Sequence, residues 1–301
     1  MDKKRRNIVR SIAISPILLG SHRLFASSSK ETSSVVRLQY SLNAYSFNSM
    51  LRSGEMTFFD MMEFAADTGL NAVDLTGYYF SSYPEVPKDT ELFSLKRKAL
   101  ELGLNISWTG VRNNFVNPDA AVRSVDRELI RKWLSVSSSL GATIMRVFTG
   151  NQTYEGYTKD QVKEWLVEEF KICTRYGAET GVIVGLQNHN EFLFQSEEVI
   201  DILNRVDSEW FGLILDIGSL HAEDPYDEIE KLAPYANYWF VKEHVFPNGN
   251  RTPVDMEKIA RIIKNQGYRG YVSFESLSEG DPKPIITSMF NSFKTAYDNL
   301  P

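Results

Sequence analysis

The feature that most constrains the fold is a glycine followed by a short apolar run, a pattern that recurs along the chain. Six of these runs cover residues 69–75, 103–108, 141–148, 181–186, 212–216 and 270–275, and runs at 38–42 and 238–242 complete a set of eight. Short runs rich in Val, Ile and Leu are typical of strands in a parallel sheet that is covered on both faces. The runs recur about every 33 residues, which is the length of one strand-plus-helix unit.

Amphipathic helical patterns lie between these runs. Thr158 and Gln161 have the spacing of a capping box, and apolar residues then follow at intervals of three and four, from Val162 to Cys173. Comparable stripes cover residues 58–66, 95–102, 125–134, 199–206, 259–263 and 285–293, as expected for helices that pack one face on a sheet. Strand and helix therefore alternate eight times over about 265 residues, close to the ~250 of a (β/α)8 barrel.

We predict an α/β fold, a (β/α)8 TIM barrel that forms a single domain over residues 37–301. A doubly wound open sheet is the alternative. It is disfavoured because no glycine-rich dinucleotide or phosphate loop follows the first strand, and the same observation predicts that the protein uses no nucleotide cofactor.

The first 26 residues have a different pattern. Four basic residues at 3–6 precede an apolar stretch at 11–20, and Ala26 then offers a small residue for cleavage. This order is typical of an export signal, and Arg5-Arg6 resembles a twin-arginine signal, with an ordinary secretory signal as the alternative. We expect residues 1–26 to be removed, 27–36 to be a linker, and the protein to be periplasmic or in the cell envelope. The apolar stretch is too short to span a bilayer, so no membrane span is expected in the mature chain.

The net charge of the chain restricts the kinds of molecule that it can bind. The chain has 33 basic and 39 acidic residues; without the predicted signal, which contains six basic and one acidic residue, 27 basic and 38 acidic remain, a net charge of −11. Such a surface repels phosphate backbones, so nucleic acid is not an expected partner. The single cysteine, Cys173, lies in a helical pattern and is expected to be a core thiol. A homo-oligomer is left open.

Polar side chains follow almost every predicted strand, at the end where TIM barrels carry their active sites. They are Asp74 and Tyr78 after strand two, Trp108 and Arg112 after three, Arg146 after four, Gln187, Asn188 and His189 after five, Asp216 after six, Lys242, Glu243 and His244 after seven, and Glu275 after eight. Of these, Gln187, Asn188, Arg146, Trp108 and Tyr78 are candidates for substrate binding. Arg146 could instead be a buried partner of Asp74, and Trp108 and Tyr78 could be packing residues.

Three residues are candidates for catalysis: Glu275, Lys242 and His189. Glu275, like Asp216, ends a buried apolar run, where an unpaired carboxylate is costly, so each is expected to be functional or ion-paired. Lys242 could simply neutralise them; in such a pocket we expect a depressed pKa that would let it act as an acid or electrophile. His189 could transfer protons or only hydrogen-bond a loop.

The strand ends resemble those of the xylose-isomerase-like barrels, a group of sugar phosphate isomerases and epimerases that includes ketose 3-epimerases. The resemblance covers about residues 38–298 and depends on 187–189, 215–218, 241–243 and 274–275. It implies metal ligands Glu, Asp, His and Glu on strands five to eight, with both glutamates shuttling protons. Here Gln187 replaces the first Glu, and Phe240 stands in the position of the His.

Two outcomes for the metal follow from these departures. An amide is a weak, neutral ligand and a phenyl ring is none, so the divalent metal could be absent. A rebuilt set of Asp216, Glu275, His189 and His244 could instead hold Mn, Mg or Zn.

The predicted function is an exported sugar isomerase or epimerase that acts on a small carbohydrate by removing a proton next to a carbonyl group. A 3-keto-glycoside lyase on the same barrel is the first alternative. A catalytically silent carbohydrate-binding barrel is the second, because two implied ligands are missing. An endonuclease is disfavoured by the charge of −11.

Overall fold

The eight apolar runs form the eight parallel strands of a closed barrel in the computed structural model, which describes residues 38–151, 154–189 and 191–301. The strands are β1 (Gln39–Leu42), β2 (Ala72–Asp74), β3 (Asn105–Gly110), β4 (Ile144–Val147), β5 (Ile183–Gln187), β6 (Phe211–Asp216), β7 (Ala236–Lys242) and β8 (Tyr271–Glu275). They follow each other around the barrel in chain order, and β8 pairs with β1 to close it. The predicted TIM barrel is confirmed. The predicted signal and linker, residues 1–36, lie outside the described residues.

Helices connect the strands. They are α1 (Asn48–Ser53), α2 (Phe58–Thr68), α3 (Asp89–Glu101), α4 (Ala120–Leu140), α5 (Lys159–Thr180), α6 (Ser196–Val206), α7 (Pro225–Leu232), α8 (Met256–Asn265) and α9 (Pro282–Asn299). The sequence patterns missed α1 and α7, which are too short to display a repeated stripe. Asp224 caps α7 by accepting a hydrogen bond from the Tyr226 N–H, and Pro225 occupies its first turn, so a cap and a proline could have identified it.

The ends of α5 illustrate how local sequence sets the helix boundaries. Gln161 and Thr158 exchange the two hydrogen bonds of the predicted capping box, and Gly181 ends the helix at φ 70°, a left-handed conformation that favours glycine. Gly212 does not have the same role, because it lies inside β6. Asp207, at φ 47°, ends α6 instead.

The barrel interior is filled by side chains from several strands. Trp108, Ile144, Ile214, Tyr238 and Phe240 form a buried cluster inside it, separate from the larger core between the strands and the helices. The barrel is therefore packed through this layer, which leaves its C-terminal mouth as the place where a ligand can enter.

An ionic cluster joins α4 to α5 on the outside of the barrel. Glu169 of α5 accepts hydrogen bonds from Arg123 Nε at 3.0 Å and from Arg127 Nη1 at 2.6 Å. Both Arg123 and Glu169 are buried, so each depends on the other for charge compensation.

Within the described part of the chain, we find no helix with the length and apolar character that crossing a membrane requires.

Candidate active site

A pocket of about 280 Å³ opens at the C-terminal ends of the strands. This C-terminal pocket is lined by Asn43, Tyr45, Tyr78, Arg112, Arg146, Phe148, Gln187, His189, Phe240, Lys242, Glu275 and Leu277. Its size is near the lower end of the roughly 300–1,000 Å³ of small-molecule sites, so a ligand about as large as a monosaccharide fits it. Six of the eight residues predicted for catalysis or substrate binding line this one pocket.

Lys242 lies at the centre of the charged groups in the pocket. Its Nζ is 2.8 Å from Oδ2 of Asp216 and 3.5 Å from Oε2 of Glu275. Strand register causes this convergence, because Lys242 and Glu275 are paired residues on β7 and β8, while Asp216 ends the neighbouring strand β6. All three side chains are at least nine-tenths buried.

Gly218 leaves room for the Lys242 side chain to extend to the two carboxylates. A Cβ at this position would lie 2.6 Å from Cδ of Lys242 and 3.3 Å from its Cβ. Any side chain at position 218 would therefore displace the stem of Lys242, which makes Gly218 a positioning residue for the ammonium group.

Asp216 is saturated with hydrogen-bond donors. Its Oδ2 accepts from Gln187 Nε2 at 2.7 Å and from Ser219 Oγ at 2.8 Å, in addition to Lys242, and its Oδ1 accepts from the Gly218 N–H at 3.0 Å. Burial favours the neutral acid, but the charge and hydrogen bond of Lys242, together with His189 and Gln187, outweigh it and hold the Asp216 pKa below its usual value. Asp216 is therefore a buried anion that anchors Lys242, and it lies beneath the pocket surface rather than on it.

The pKa of Lys242 shifts in the direction opposite to that expected from the sequence. Burial lowers it, but the nearby charges of Asp216 and Glu275 raise it more, so the pKa lies above its ordinary value and the side chain stays an ammonium ion. Burial raises the pKa of Glu275, and although Lys242 opposes that effect, the value remains above that of an ordinary glutamate. The pocket thus combines a permanent cation with a carboxylate of raised basicity.

His189 and Arg146 line the wall formed by β4 and β5. The imidazole Nδ1 of His189 is 3.4 Å from Glu191 Oε1, and its ring meets Phe148 edge-on at 5.3 Å between centroids. The guanidinium carbon of Arg146 lies 4.2 Å from the centre of the Phe148 ring and 5.5 Å from that of Tyr78. Aromatic rings therefore surround the Arg146 cation.

The model of the xylose isomerase-like TIM barrel family matches residues 62–295 of the chain. The chain belongs to this family. The resemblance seen in the strand ends is confirmed. A comparison with curated proteins gives no match.

Three solved structures illustrate the likeness to known proteins. D-psicose 3-epimerase from Clostridium cellulolyticum H10 is 15% identical, with a TM-score of 0.72 over 86% of this chain and 99% of that one. 3-Keto-D-glucoside 4-epimerase from E. coli is 12% identical, with a TM-score of 0.69 over 86% and 100%. A probable 3-DHS dehydratase from Bacillus anthracis is 19% identical, with a TM-score of 0.66 over 85% and 99%. At these identities the likeness shows the fold alone.

The residues of this xylose isomerase-like barrel do not fit the divalent metal that the family resemblance implies. Gln187 turns an N–H donor toward Asp216, Phe240 presents a phenyl ring where the resemblance implies a histidine, and the Lys242 ammonium already lies between the two acids. No three or more His, Cys, Asp or Glu side chains among the described residues are arranged to hold a metal ion. The rebuilt set of Asp216, Glu275, His189 and His244 is therefore not assembled.

Three other candidate site residues do not line the pocket. Trp108 is fully buried under the pocket, 4.9 Å from the ring of Phe240, and belongs to the barrel core. Asn188 uses both ends of its amide on the backbone of Asp216, at 2.7 and 3.0 Å, so it aligns β6 with β5 rather than meeting a substrate. His244 lies in a short hairpin, paired with Pro253, and does not line the pocket.

Sequence reasoning missed part of the pocket wall. Asn43 follows β1 directly, donates to Glu275 Oε2 at 3.3 Å and lines the pocket with Tyr45; a polar residue after the first apolar run was the available signal. Leu277 follows β8, and its N–H donates to Glu243 Oε2 at 2.8 Å. Because Glu243 also accepts from Ser276 and Ser278, it organises the loop beside Glu275, a role that spacing alone does not reveal.

Proposed function

We propose that this protein is a carbohydrate-transforming enzyme that removes a proton from the carbon next to a carbonyl group. The observation that carries the proposal is the Lys242 ammonium between Asp216 and Glu275, at 2.8 and 3.5 Å, on the floor of a monosaccharide-sized pocket. The sugar substrate class is supported by family membership and by neighbours named as a D-psicose 3-epimerase and a 3-keto-D-glucoside 4-epimerase.

Glu275 is the base in this mechanism. Its carboxylate takes the proton, and the electron pair of the broken C–H bond moves toward the carbonyl oxygen, which becomes an enolate oxygen. Lys242 stabilises that developing negative charge from a fixed position in a buried site, where such interactions are strongest. Asn43 holds Glu275 through its 3.3 Å hydrogen bond, and Asp216 holds Lys242.

The enolate can collapse in two ways. Return of a proton from Glu275 or His189 to carbon gives an isomer or epimer, whereas loss of a substituent from the next carbon gives an elimination. Glu275 is the only carboxylate among the described residues that line the pocket, and the amide Gln187 cannot carry a proton. Inversion at one carbon requires proton carriers on both faces, whereas elimination needs one base, so we take a 3-keto-glycoside lyase as the second candidate function.

The test is turnover in D₂O with ketoses and 3-keto-glucosides, followed by NMR. We expect deuterium in recovered or isomerised sugar if the proton returns, and release of the aglycone if elimination occurs. Glu275→Gln should lower the rate by roughly 10²–10⁴-fold with little effect on binding. Glu279→Gln is the matched control, since Glu279 is exposed in the loop after β8.

If the wild-type protein showed neither deuterium exchange nor turnover with any of the sugars, the catalytically silent binding barrel would be the better interpretation. A Glu275→Gln variant with the full wild-type rate would contradict the assignment of the base. Burial raises the pKa of Glu275, and the base must be ionised to act. On acidification, kcat/KM should therefore begin to fall at a higher pH than it would with a base that had the pKa of an ordinary glutamate.

We also propose that the enzyme acts outside the cytoplasm, because residues 1–26 have the order of an export signal. N-terminal sequencing of protein from the envelope or periplasm of the native host should find a start near Ser27. Recovery of the intact N-terminus from that fraction would contradict cleavage there.

A further inference from the structure

Arg146 is a buried cation that makes no ion pair with an acid of the described residues. The residue is only 4% exposed, its Nη2 donates to the Val111 carbonyl at 3.4 Å, and its Nε has no hydrogen-bond partner. Among the described residues, no carboxylate oxygen lies within 4.0 Å of its guanidinium nitrogens. Buried charges are ordinarily paired, so this one is unusual.

The carboxylate expected as its partner is engaged elsewhere. Asp74 accepts hydrogen bonds from the Ala44 N–H and from the Thr76 hydroxyl and makes no ion pair with Arg146. The ring of Phe148, at 4.2 Å, offers a cation–π contact, which is weaker than a paired anion at a desolvated site. The guanidinium is thus packed among aromatic rings. Its charge acts on Asp74, Glu191 and Glu275 only at longer range, and its Nε–H is left for a ligand.

The surrounding backbone leaves room for this guanidinium. A Cβ at Gly110 would lie 3.0 Å from Arg146 Nε and 3.1 Å from Nη2. Arg112 supplies a second guanidinium to the same pocket and is steadied by Glu191 at 3.3 Å. Arg112 follows β3 and Arg146 lies on β4. These strands lie across the barrel from β7 and β8, which supply Lys242 and Glu275.

The lining of the pocket contains more cations than anions, although Glu191 pairs with Arg112 and Asp216 pairs with Lys242 beside it. Its described lining residues include three cations, Arg112, Arg146 and Lys242, and one carboxylate, Glu275, whereas the whole chain has a formal net charge of −6. A neutral sugar would leave Arg146 without an ion pair, whereas an anion of fork-like geometry would match its donors.

We propose that Arg146, assisted by Arg112, binds an anionic group of the substrate, a carboxylate or a phosphate, while the carbonyl end of the same molecule faces Lys242 and Glu275. The proposal rests on the proposed function for the position of the reacting carbon, but the anion subsite itself is testable by binding alone. It narrows the substrate class from sugars in general to sugar acids or sugar phosphates.

The experiment is isothermal titration calorimetry with matched probes: glucuronate against glucuronamide, and glucose 6-phosphate against glucose, each up to tens of millimolar. We expect at least one charged probe to bind at least tenfold more tightly than its neutral partner, and higher salt to reduce the difference. Preference for glucuronate alone identifies a carboxylate, and preference for glucose 6-phosphate alone identifies a phosphate. Equal affinities within both pairs, or no binding of either charged probe, would overturn the proposal.

Arg146→Gln should lower the ratio of affinities for the charged and the neutral probe at least tenfold, and Arg146→Lys should retain part of the preference. Gly110→Ala keeps the charge but crowds the guanidinium and also the buried ring of Trp108, at 3.0 Å each, so it should weaken the preference as well. Urea unfolding of both variants separates this loss from a folding defect. Arg97→Gln is the matched control, because Arg97 is 76% exposed on α3. A preference that survives both Arg146→Gln and Gly110→Ala would contradict the assignment. Glu275→Gln should bind the charged probe normally, so failure of the catalytic proposal and failure of the subsite are separable.

Discussion

Gln187 donates a hydrogen bond from Nε2 to Oδ2 of Asp216 over 2.7 Å. The contact places an N–H donor against the carboxylate oxygen that also pairs with the Lys242 ammonium, so that oxygen is occupied by two donors instead of a metal ion. The carbonyl oxygen of the same amide has no partner, which is consistent with an orientation set by the negative charge of Asp216. Gln187 and Lys242 therefore surround the Asp216 carboxylate with hydrogen-bond donors, in the place where the family resemblance implies a metal ion.

The first prediction follows from that replacement. The double variant Gln187→Glu, Phe240→His adds a carboxylate and an imidazole beside Asp216 and Glu275, which are ligands suited to Mn. We expect close to one Mn per chain in the variant after dialysis, measured by mass spectrometry, and far less in the wild type.

His244→Ala provides the matched control for this experiment, since His244 lies outside the pocket and its removal should leave the metal content of the wild type unchanged. A wild-type protein that retains stoichiometric metal, and loses activity when a chelator removes it, would contradict our interpretation of the donor set.

The fold could be predicted from the sequence because strand length and glycine spacing are local properties. The eight runs and the stripe from Val162 to Cys173 each report on a few neighbouring residues, and their regular alternation leaves few architectures. The short helix α7 was missed because its eight residues provide only about two turns of pattern.

The site was predictable only as far as strand ends determine it. Residues that end strands, such as Asp216, Lys242 and Glu275, meet because parallel strands end at one mouth of the barrel. Whether a side chain faces that mouth or the core depends on packing across the barrel, which explains why the sequence left Trp108 open between substrate binding and packing. The sign of the Lys242 pKa shift depends on two carboxylates contributed by other strands, which burial alone did not reveal.

The second prediction concerns Asp74 and pH. Burial raises the pKa of Asp74 to about 7 from its ordinary 3.8, although hydrogen bonds from Thr76 and Ala44 oppose the shift. A carboxyl with a raised pKa in the folded state favours folding most below its unfolded pKa, and this contribution is lost as pH rises through about 7.

Urea unfolding at pH 5 and pH 8 tests the sign of this effect. The wild type should lose about 2–3 kcal/mol more stability across that interval than Asp74→Asn, at roughly 1.4 kcal/mol per pKa unit. Asp74→Asn is the appropriate change because it keeps an acceptor for the Ala44 N–H while removing the titration. Parallel pH profiles for the two proteins would show that Asp74 does not titrate in this range.

The third prediction concerns the ionic cluster between α4 and α5. Glu169→Gln leaves the buried Arg123 without a charged partner, so it should lower the free energy of unfolding by about 3–5 kcal/mol. Glu128→Gln is the control, because Glu128 pairs with Arg131 on the surface of α4, with both side chains about half exposed, and such pairs contribute about 0–1 kcal/mol. Both variants are measured by urea unfolding. Equal losses in the free energy of unfolding would mean that burial does not make the Glu169–Arg123 pair more important for stability than the surface pair.

The last prediction separates an electrostatic role of Lys242 in catalysis from simple neutralisation of Asp216. Lys242→Met removes the cation while keeping much of the stem, so the fully buried Asp216 is left with only neutral donors. The expected loss is about 3–5 kcal/mol of stability, together with the activity.

Adding Asp216→Asn to Lys242→Met should recover much of that stability, because the buried charge is gone and the unpartnered Oε1 of Gln187 can turn to accept from the new amide. Activity should not return, because no cation remains to stabilise an enolate oxygen. Lys294→Met serves as the surface control, since its ion pair with Asp298 is about half exposed and should contribute about 0–1 kcal/mol. If the double variant regained both stability and turnover, Lys242 would be only the counter-ion of Asp216, and the cation in the mechanism would have to come from another residue of the pocket.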